Sequence, residues 1–252
     1  AILYENKREN YLCKHNNIKY KGLGVEGYVE ITKVRECKLI NDDKFWRGKR
    51  VYLGLDLSQT DDNTSLAMTT EHNGEIYAKV WGFVPKDRVD FKSNREGVDY
   101  KRLIKIGDCF ECGDEVIDYS YVEDFILSLE QKYGVEIVQI GYDRYNAIST
   151  VQKLEKAGHE CVEIKQHSSV LHMPTKLLKE MILKRMFNYF ENLMLEINFQ
   201  NARCTEDTNL NKYVNKKKSE GKVDMVVSLI NSVYLLQQES LFSTDDFGAM
   251  VL

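Results

Sequence analysis

The chain has 252 residues, of which 43% are hydrophobic and 29% are charged, with a formal net charge of -4 at pH 7. This length and composition predict a globular protein with one large domain and an extension. No apolar run of about 18 residues and no signal-peptide pattern occurs, which predicts an intracellular protein that does not span a membrane. The negative charge excludes a surface that is basic throughout, so a polyanionic partner needs a local basic patch.

Residues 1–49 are lysine-rich and weakly periodic, and we interpret them as an extension or linker. The string "GLGVEG" at residues 22–27 fits the pattern G-x-G-x-x-G. No apolar strand precedes it, and the following "YVEITKV" is typical of a strand, so no dinucleotide site is expected. Because the chain begins at Ala1, we expect it to be a fragment of a longer protein.

Residues 50–84 predict three strands, with a tight hairpin at Asn73 and Gly74 between the second and the third. In the first of these strands, "VYLGLDLS", one face is apolar and consists of Val51, Leu53, Leu55 and Leu57. Asp56 falls on the other face, where a carboxylate in a buried strand must meet water, a cation or a polar partner.

Residues 86–117 are polar and predict an irregular insertion with a short helix near "VDYKRLIKIGD". Cys109 and Cys112 form the one C-x-x-C pair of the sequence. A structural zinc site needs about four ligands, and no second pair has suitable spacing, so we expect reduced thiols and no zinc site.

The rest of the chain alternates between helices and strands. Apolar spacing from Ser120 predicts a helix that Gly134 ends, followed by a strand "EIVQIGYD", a helix "NAISTVQKLEKAG" and a strand "CVEIKQ". Pro174 is predicted to open a further helix. The last predicted helix covers residues 222–238 and carries Asp224 in its first turn. The pattern indicates a mixed α/β sheet flanked by helices.

Three aspartates stand at the ends of these predicted elements: Asp56, Asp143 and Asp224. Singly, each has an ordinary role in a turn, at a helix dipole or in a backbone hydrogen bond. Together they supply the hard carboxylate oxygens that Mg²⁺ and Mn²⁺ prefer. Two such ions hydrolyse phosphodiesters in many enzymes, but spacing alone does not show that the three acids converge.

Four strings, in this order, resemble the C-terminal nuclease domain of tailed-phage terminase large subunits: "YLGLDLSQTDDNTSLAM", "VQIGYDRYNA", "PTKLLKEMI" and "ARCTEDTNLNKYVNKKKSEGKVDMVVSLINSVYLL". The resemblance covers roughly residues 50–238. It implies a ribonuclease H-like fold in which a three-stranded antiparallel meander is joined to parallel strands. It also implies that residues 1–49 follow a missing ATPase domain, residues 50–240 form the nuclease domain, and residues 241–252 are a tail.

By this resemblance, Asp56, Asp143 and Asp224 ligate two Mg²⁺ or Mn²⁺ ions. Asp62 is a fourth, accessory ligand, a residue that positions a water molecule, or an ordinary turn residue. The implied activity is an endonuclease that cuts concatemeric double-stranded DNA with little sequence preference. The implied partners are the ATPase domain, a small terminase subunit and a portal, in the cytoplasm of the bacterial host. The chain itself has no Walker A motif.

The segment before Asp224 is rich in lysine. A run of lysines beside a phosphodiester site neutralises backbone phosphates without reading sequence, although such runs are also common in solvated loops. The predicted DNA contacts are Lys216, Lys217, Lys218, Lys222 and Arg144.

Two other functions remain open at this point. Actin-like ATPases also carry "GLDLS" before a hairpin, but their second glycine-rich phosphate loop is missing here. A catalytically inactive ribonuclease H-like module that only binds DNA is the non-enzymatic alternative, and junction resolvases and transposases share the same fold.

Overall fold

The structure is a computed structural model that describes residues 25–58 and 63–248, with side chains as far as residue 239. Asp62 therefore lies outside the described residues. The strands are β1 (Val25–Gly27), β2 (Lys38–Leu39), β3 (Arg50–Asp56), β4 (Thr64–His72), β5 (Glu75–Val84), β6 (Cys109–Glu111), β7 (Glu136–Tyr142), β8 (Cys161–Glu163), β9 (Phe187–Phe190), β10 (Arg203–Glu206) and β11 (Lys212–Val214). The helices are α1 (Ile31–Arg35), α2 (Val89–Glu96), α3 (Tyr100–Ile106), α4 (Tyr119–Tyr133), α5 (Ile148–Lys156), α6 (Ser168–Leu183), α7 (Leu193–Asn201) and α8 (Asp224–Gly248).

The main sheet has the strand order β2-β9-β5-β4-β3-β7-β8 in the described part of the chain, with β6 beside β5. Strands β3, β4 and β5 form the predicted antiparallel meander. Its hairpin turns at Asn73 and Gly74, whose φ angles of 54° and 80° place both residues in the left-handed region. β7 pairs parallel with β3, and β8 pairs parallel with β7. The predicted mixed α/β fold is confirmed.

Side-chain alternation along β3 divides the core into two layers. Val51, Leu53 and Leu55 pack on the face that α4 and α5 cover, whereas Tyr52 packs on the face that α6, α7 and α8 cover. Asp56 belongs by alternation to this second face. A separate sheet of β1, β10 and β11 leads directly into the segment before α8. No helix in the described part of the chain is long and apolar enough to cross a membrane.

Several sequence predictions of local structure were wrong. The "YVEITKV" segment contains helix α1 and not a strand, because burial of Val34 in the core outweighs the strand preference of β-branched residues. The insertion at residues 86–117 contains the predicted short helix, which is α3, but it also contains helix α2 and strand β6, which were not predicted. Helix α6 begins at Ser168, where the His167 side chain accepts a hydrogen bond from the backbone N–H of Ser169, so Pro174 lies inside the helix.

Helix α8 packs very closely against β3. A Cβ atom added to Gly54 would overlap the backbone oxygen of Ser228 and would lie 2.5 Å from the backbone nitrogen of Ser232. Asn231 on the same helix donates a hydrogen bond from its side chain to the carbonyl oxygen of Leu55 at 3.3 Å. Only glycine allows this approach, which fixes the N-terminal part of α8 over the end of β3.

Asp108 links the insertion to α7, since its Oδ2 accepts a hydrogen bond from the backbone N–H of Leu193 at 2.6 Å. Burial raises the pKa of Asp108 from 3.8 to about 6. The folded carboxyl group therefore holds its proton more tightly than the unfolded chain does. The resulting stabilisation is complete below pH 3.8 and is lost as the pH rises through 6.

Asp108→Asn removes this titration. We expect the free energy of unfolding of the wild type to fall relative to that of the variant by about 1 to 1.5 kcal/mol between pH 5 and 7.5. Urea denaturation of both proteins across this range measures the difference. If the free energies of unfolding of the two proteins change in parallel with pH over this range, Asp108 does not titrate as described.

Candidate active site

Asp56 and Asp143 lie at the same end of two neighbouring strands. Asp56 is the last residue of β3, and Asp143 directly follows Tyr142, the last residue of β7. These parallel strands pair Leu55 with Tyr142, so the next residue along each of them is an aspartate. Neighbouring strands are about 5 Å apart, and the carboxyl ends of such strands are where α/β proteins build their sites.

Asp224 reaches this end of the sheet from α8. Gly54, which faces Ser228 of the helix, is two residues before Asp56, a distance of about 6.6 Å along a strand. Asp224 is four residues before Ser228, a distance of about 6 Å along a helix. Asp56 and Asp224 therefore face each other at about the same distance past the contact between Gly54 and Ser228. Both aspartates are buried, with exposed fractions of 5% and 2%.

The ammonium group of Lys216 lies between these two carboxylates. Its Nζ is 2.5 Å from Asp56 Oδ2 and 3.2 Å from Asp224 Oδ1. Burial lowers the pKa of Lys216, but the charges of Asp56 and Asp224 outweigh this effect and raise its pKa well above the ordinary value. Lys216 is therefore a fixed positive charge at the centre of the site, and the two acids are held together around it.

A buried polar network supports Asp224 from the insertion, and no sequence pattern had indicated it. The backbone N–H of Asn63 donates to Asp224 Oδ2 at 3.2 Å, and the Asn63 side chain donates to the hydroxyl of Tyr100 at 2.8 Å. Tyr100 in turn donates to Glu96 at 2.6 Å, and Glu96 pairs with the buried Lys92 at 3.1 Å. Helices α2 and α3 thus help to position the acid on α8.

The donor chemistry of the site fits a hard divalent cation. Mg²⁺ and Mn²⁺ prefer carboxylate oxygens, and Asp56 and Asp224 already enclose a positive charge. Asp143 is half-buried beside them, and its Oδ1 accepts from the backbone N–H of Tyr145 at 3.5 Å. Within residues 25–58 and 63–248, however, no three His, Cys, Asp or Glu side chains are already grouped as metal ligands.

The predicted DNA contacts have different surroundings. Lys217, Lys218 and Arg144 are exposed, and Lys222 is half-buried. Lys216 is instead bound to the acids. A groove of about 560 Å³ beside the site is lined by Arg95, Tyr100, Asn198, Asn201, Lys216 and Lys222, among others. The site therefore has an open, partly basic side.

Comparison with known families identifies the chain. The family model described as "Terminase large subunit, endonuclease domain" matches residues 1–239. The chain belongs to this family. The search of curated proteins gave no match. The resemblance seen in the sequence is thereby confirmed, and the family match favours a nuclease over an actin-like ATPase.

Three solved terminase structures share the fold. The large terminase of bacteriophage HK97 has a TM-score of 0.77 at 18% identity, over 92% of this chain and 51% of that one. The magnesium-bound large terminase nuclease of thermophilic phage G20c has a TM-score of 0.52 at 12% identity, over 84% and 97%. The large terminase of another thermophilic bacteriophage, in complex with ADP, has a TM-score of 0.51 at 14% identity, over 92% and 51%. The chain thus spans about half the length of the HK97 protein and of the ADP-bound terminase.

Proposed function

We propose that this terminase domain is a divalent-metal-dependent endonuclease that cuts concatemeric double-stranded DNA with little sequence preference. The observation that carries this proposal is the pair of buried acids, Asp56 and Asp224, which both contact the Lys216 ammonium group beside Asp143. The magnesium and cobalt found in structures of the G20c nuclease support a metal-binding role for the same fold.

Asp56, Asp143 and Asp224 would hold two Mg²⁺ or Mn²⁺ ions. The chemistry that the bound ions supply is activation of a water molecule and stabilisation of the leaving oxygen of the phosphodiester. Burial of Asp56 and Asp224 keeps both carboxylates in fixed positions, and the network through Asn63 orients Asp224. Asp62 is a candidate fourth ligand in this proposal.

In the complete protein, residues 1–49 would follow an ATPase domain and lead into the nuclease domain predicted at residues 50–240, and residues 241–252 would form a tail. Residues 25–49 already pack on that domain, since β2 pairs with β9 and Trp46 is buried in the core. The greater length of the HK97 protein and of the ADP-bound terminase, and the ADP in the latter, support this arrangement. The further partners in this proposal are a small terminase subunit and a portal, in the cytoplasm of a bacterial host.

Incubation of supercoiled plasmid with the protein tests the activity. We expect nicked and linear DNA with Mg²⁺ or Mn²⁺ and intact plasmid with EDTA, because the acids need the cation for hydrolysis. Uncut plasmid in every metal, together with retained DNA binding, would instead identify an inactive DNA-binding module.

Lys217 and Lys218 are expected to bind DNA phosphates, together with Lys222 and Arg144. The double variant Lys217→Gln/Lys218→Gln should reduce the slope of log K against log salt by about 0.9 for each lost phosphate contact. Fluorescence anisotropy with a DNA duplex across a salt series measures this slope. Lys132→Gln is the matched control, because α4 covers the opposite face of the sheet. An unchanged slope in the double variant would remove both lysines from the interface.

A further inference from the structure

Lys216 contacts both of the buried acids of the site. Its Nζ touches one oxygen of Asp56 at 2.5 Å and one of Asp224 at 3.2 Å, and both acids are almost fully buried. Two buried carboxylates side by side repel each other and have lost much of their hydration. The Lys216 ammonium group offsets both effects, so it stabilises the two acids when no metal ion is bound.

The backbone around Lys216 is built to hold it in this position. Residues Lys216–Lys218 form one turn of 3-10 helix, which the Asn215 side chain caps by accepting from the backbone N–H of Lys217. The amide group of Asn215 also donates to Thr205 of β10 and to Tyr213 of β11. The small sheet therefore fixes the start of the turn and directs Lys216 toward the acids.

We infer that Lys216 is a built-in placeholder cation, which occupies the position between Asp56 and Asp224 until a divalent metal ion displaces it. This inference rests on the proposed metal-dependent function. It assigns to Lys216 a regulatory role at the site, in addition to the DNA contact predicted from the sequence. Metal affinity is then set by competition between the metal ion and the side chain of the protein itself.

Competition follows from the geometry. An ammonium group and a divalent ion cannot bind the same two carboxylate oxygens, because each would meet a like charge at contact distance. Lys216 also lines the groove of about 560 Å³, together with Glu96 and Glu220. Arg95 and Lys222 line the same groove. The long lysine side chain therefore has an open space of mixed charge to enter when it leaves the acids.

Removal of the positive charge should tighten metal binding. In Lys216→Gln, we expect Mn²⁺ to bind about 10- to 100-fold more tightly than in the wild type, because no charged hydrogen bonds have to be broken first. Isothermal titration calorimetry with Mn²⁺, without DNA, measures this affinity. The melting temperature in EDTA should fall, and its increase on addition of Mn²⁺ should be larger than in the wild type. Lys132→Gln on α4, which covers the opposite face of the sheet, should leave Mn²⁺ affinity unchanged.

Two further variants separate charge from packing. Lys216→Met repeats the test with an uncharged side chain of similar length and should also tighten Mn²⁺ binding. It takes the place of Lys216→Gln if the glutamine variant folds poorly. Lys216→Arg keeps a positive charge and should leave the affinity within about 3-fold of the wild type. Equal or weaker Mn²⁺ binding in folded Lys216→Gln or Lys216→Met would overturn the placeholder role while leaving the nuclease proposal intact. If the wild type neither binds Mn²⁺ nor cuts DNA, both proposals fail.

Discussion

Asp224→Asn is expected to lower the rate of plasmid cleavage in Mg²⁺ or Mn²⁺ by more than about 100-fold. The substitution removes a negative charge from the buried pair with Asp56. If Asp224 ligates the metal as proposed, loss of this carboxylate reduces transition-state stabilisation by several kcal/mol. The shape of the side chain is unchanged, and its remaining oxygen still accepts from the backbone N–H of Asn63. Folding should therefore be retained, as circular dichroism would verify.

Asp118→Asn is the matched control for this substitution. Asp118 caps α4 on the opposite face of the sheet, and asparagine caps helices equally well. This variant should cut plasmid at the wild-type rate. Cleavage by Asp224→Asn within about 10-fold of this control would show that Asp224 is not a metal ligand in the reaction.

Gly54→Ala is expected to destabilise the protein by at least about 3 kcal/mol, as judged by urea denaturation. The new methyl group would meet two backbone atoms of α8, at Ser228 and Ser232, which cannot rotate away as a side chain would. The helix must shift or the strand must bend, and overpacking of a core at backbone contacts is among the most costly substitutions. A shift of α8 also moves Asp224 away from Asp56.

The control for the glycine substitution is Gly27→Ala in β1. Gly27 has no heavy atom within 4 Å of an added Cβ and no positive φ angle, so the free energy of unfolding should change by less than about 0.5 kcal/mol. Equal free energies of unfolding for Gly54→Ala and Gly27→Ala would contradict the close packing of α8 on β3.

The sequence predicted the elements whose signals are local. Alternation along β3, the Asn73 and Gly74 turn, and the apolar stripe of α4 each depend on neighbouring residues, and all three are confirmed. Strand β9 and helix α7 were missed, because a short apolar run such as "FNYF" does not distinguish a strand from a buried turn of helix. The start of α6 was missed because its cap is a histidine, which is an uncommon capping residue.

The site was predictable only in part. The family resemblance implied that Asp56 and Asp143 act together, and the parallel pairing of β3 with β7 brings them to the same end of neighbouring strands. The pairing of Lys216 with Asp56 and Asp224 could not be predicted, since Lys216 and Asp56 are 160 positions apart and meet through a turn that the small sheet positions. The support of Asp224 through Asn63 and Tyr100 is equally long-range, and polar residues of this kind have no periodic signal.

Metal binding by Asp56, Asp143 and Asp224 is the central claim, and an anomalous difference map from crystals soaked in MnCl₂ tests it most directly. Manganese scatters anomalously and can be located without prior assumptions. We expect peaks bonded to carboxylate oxygens of these three acids, with the Lys216 ammonium displaced from between Asp56 and Asp224. Peaks bound elsewhere, or an empty site with Lys216 still in place at saturating Mn²⁺, would contradict the claim.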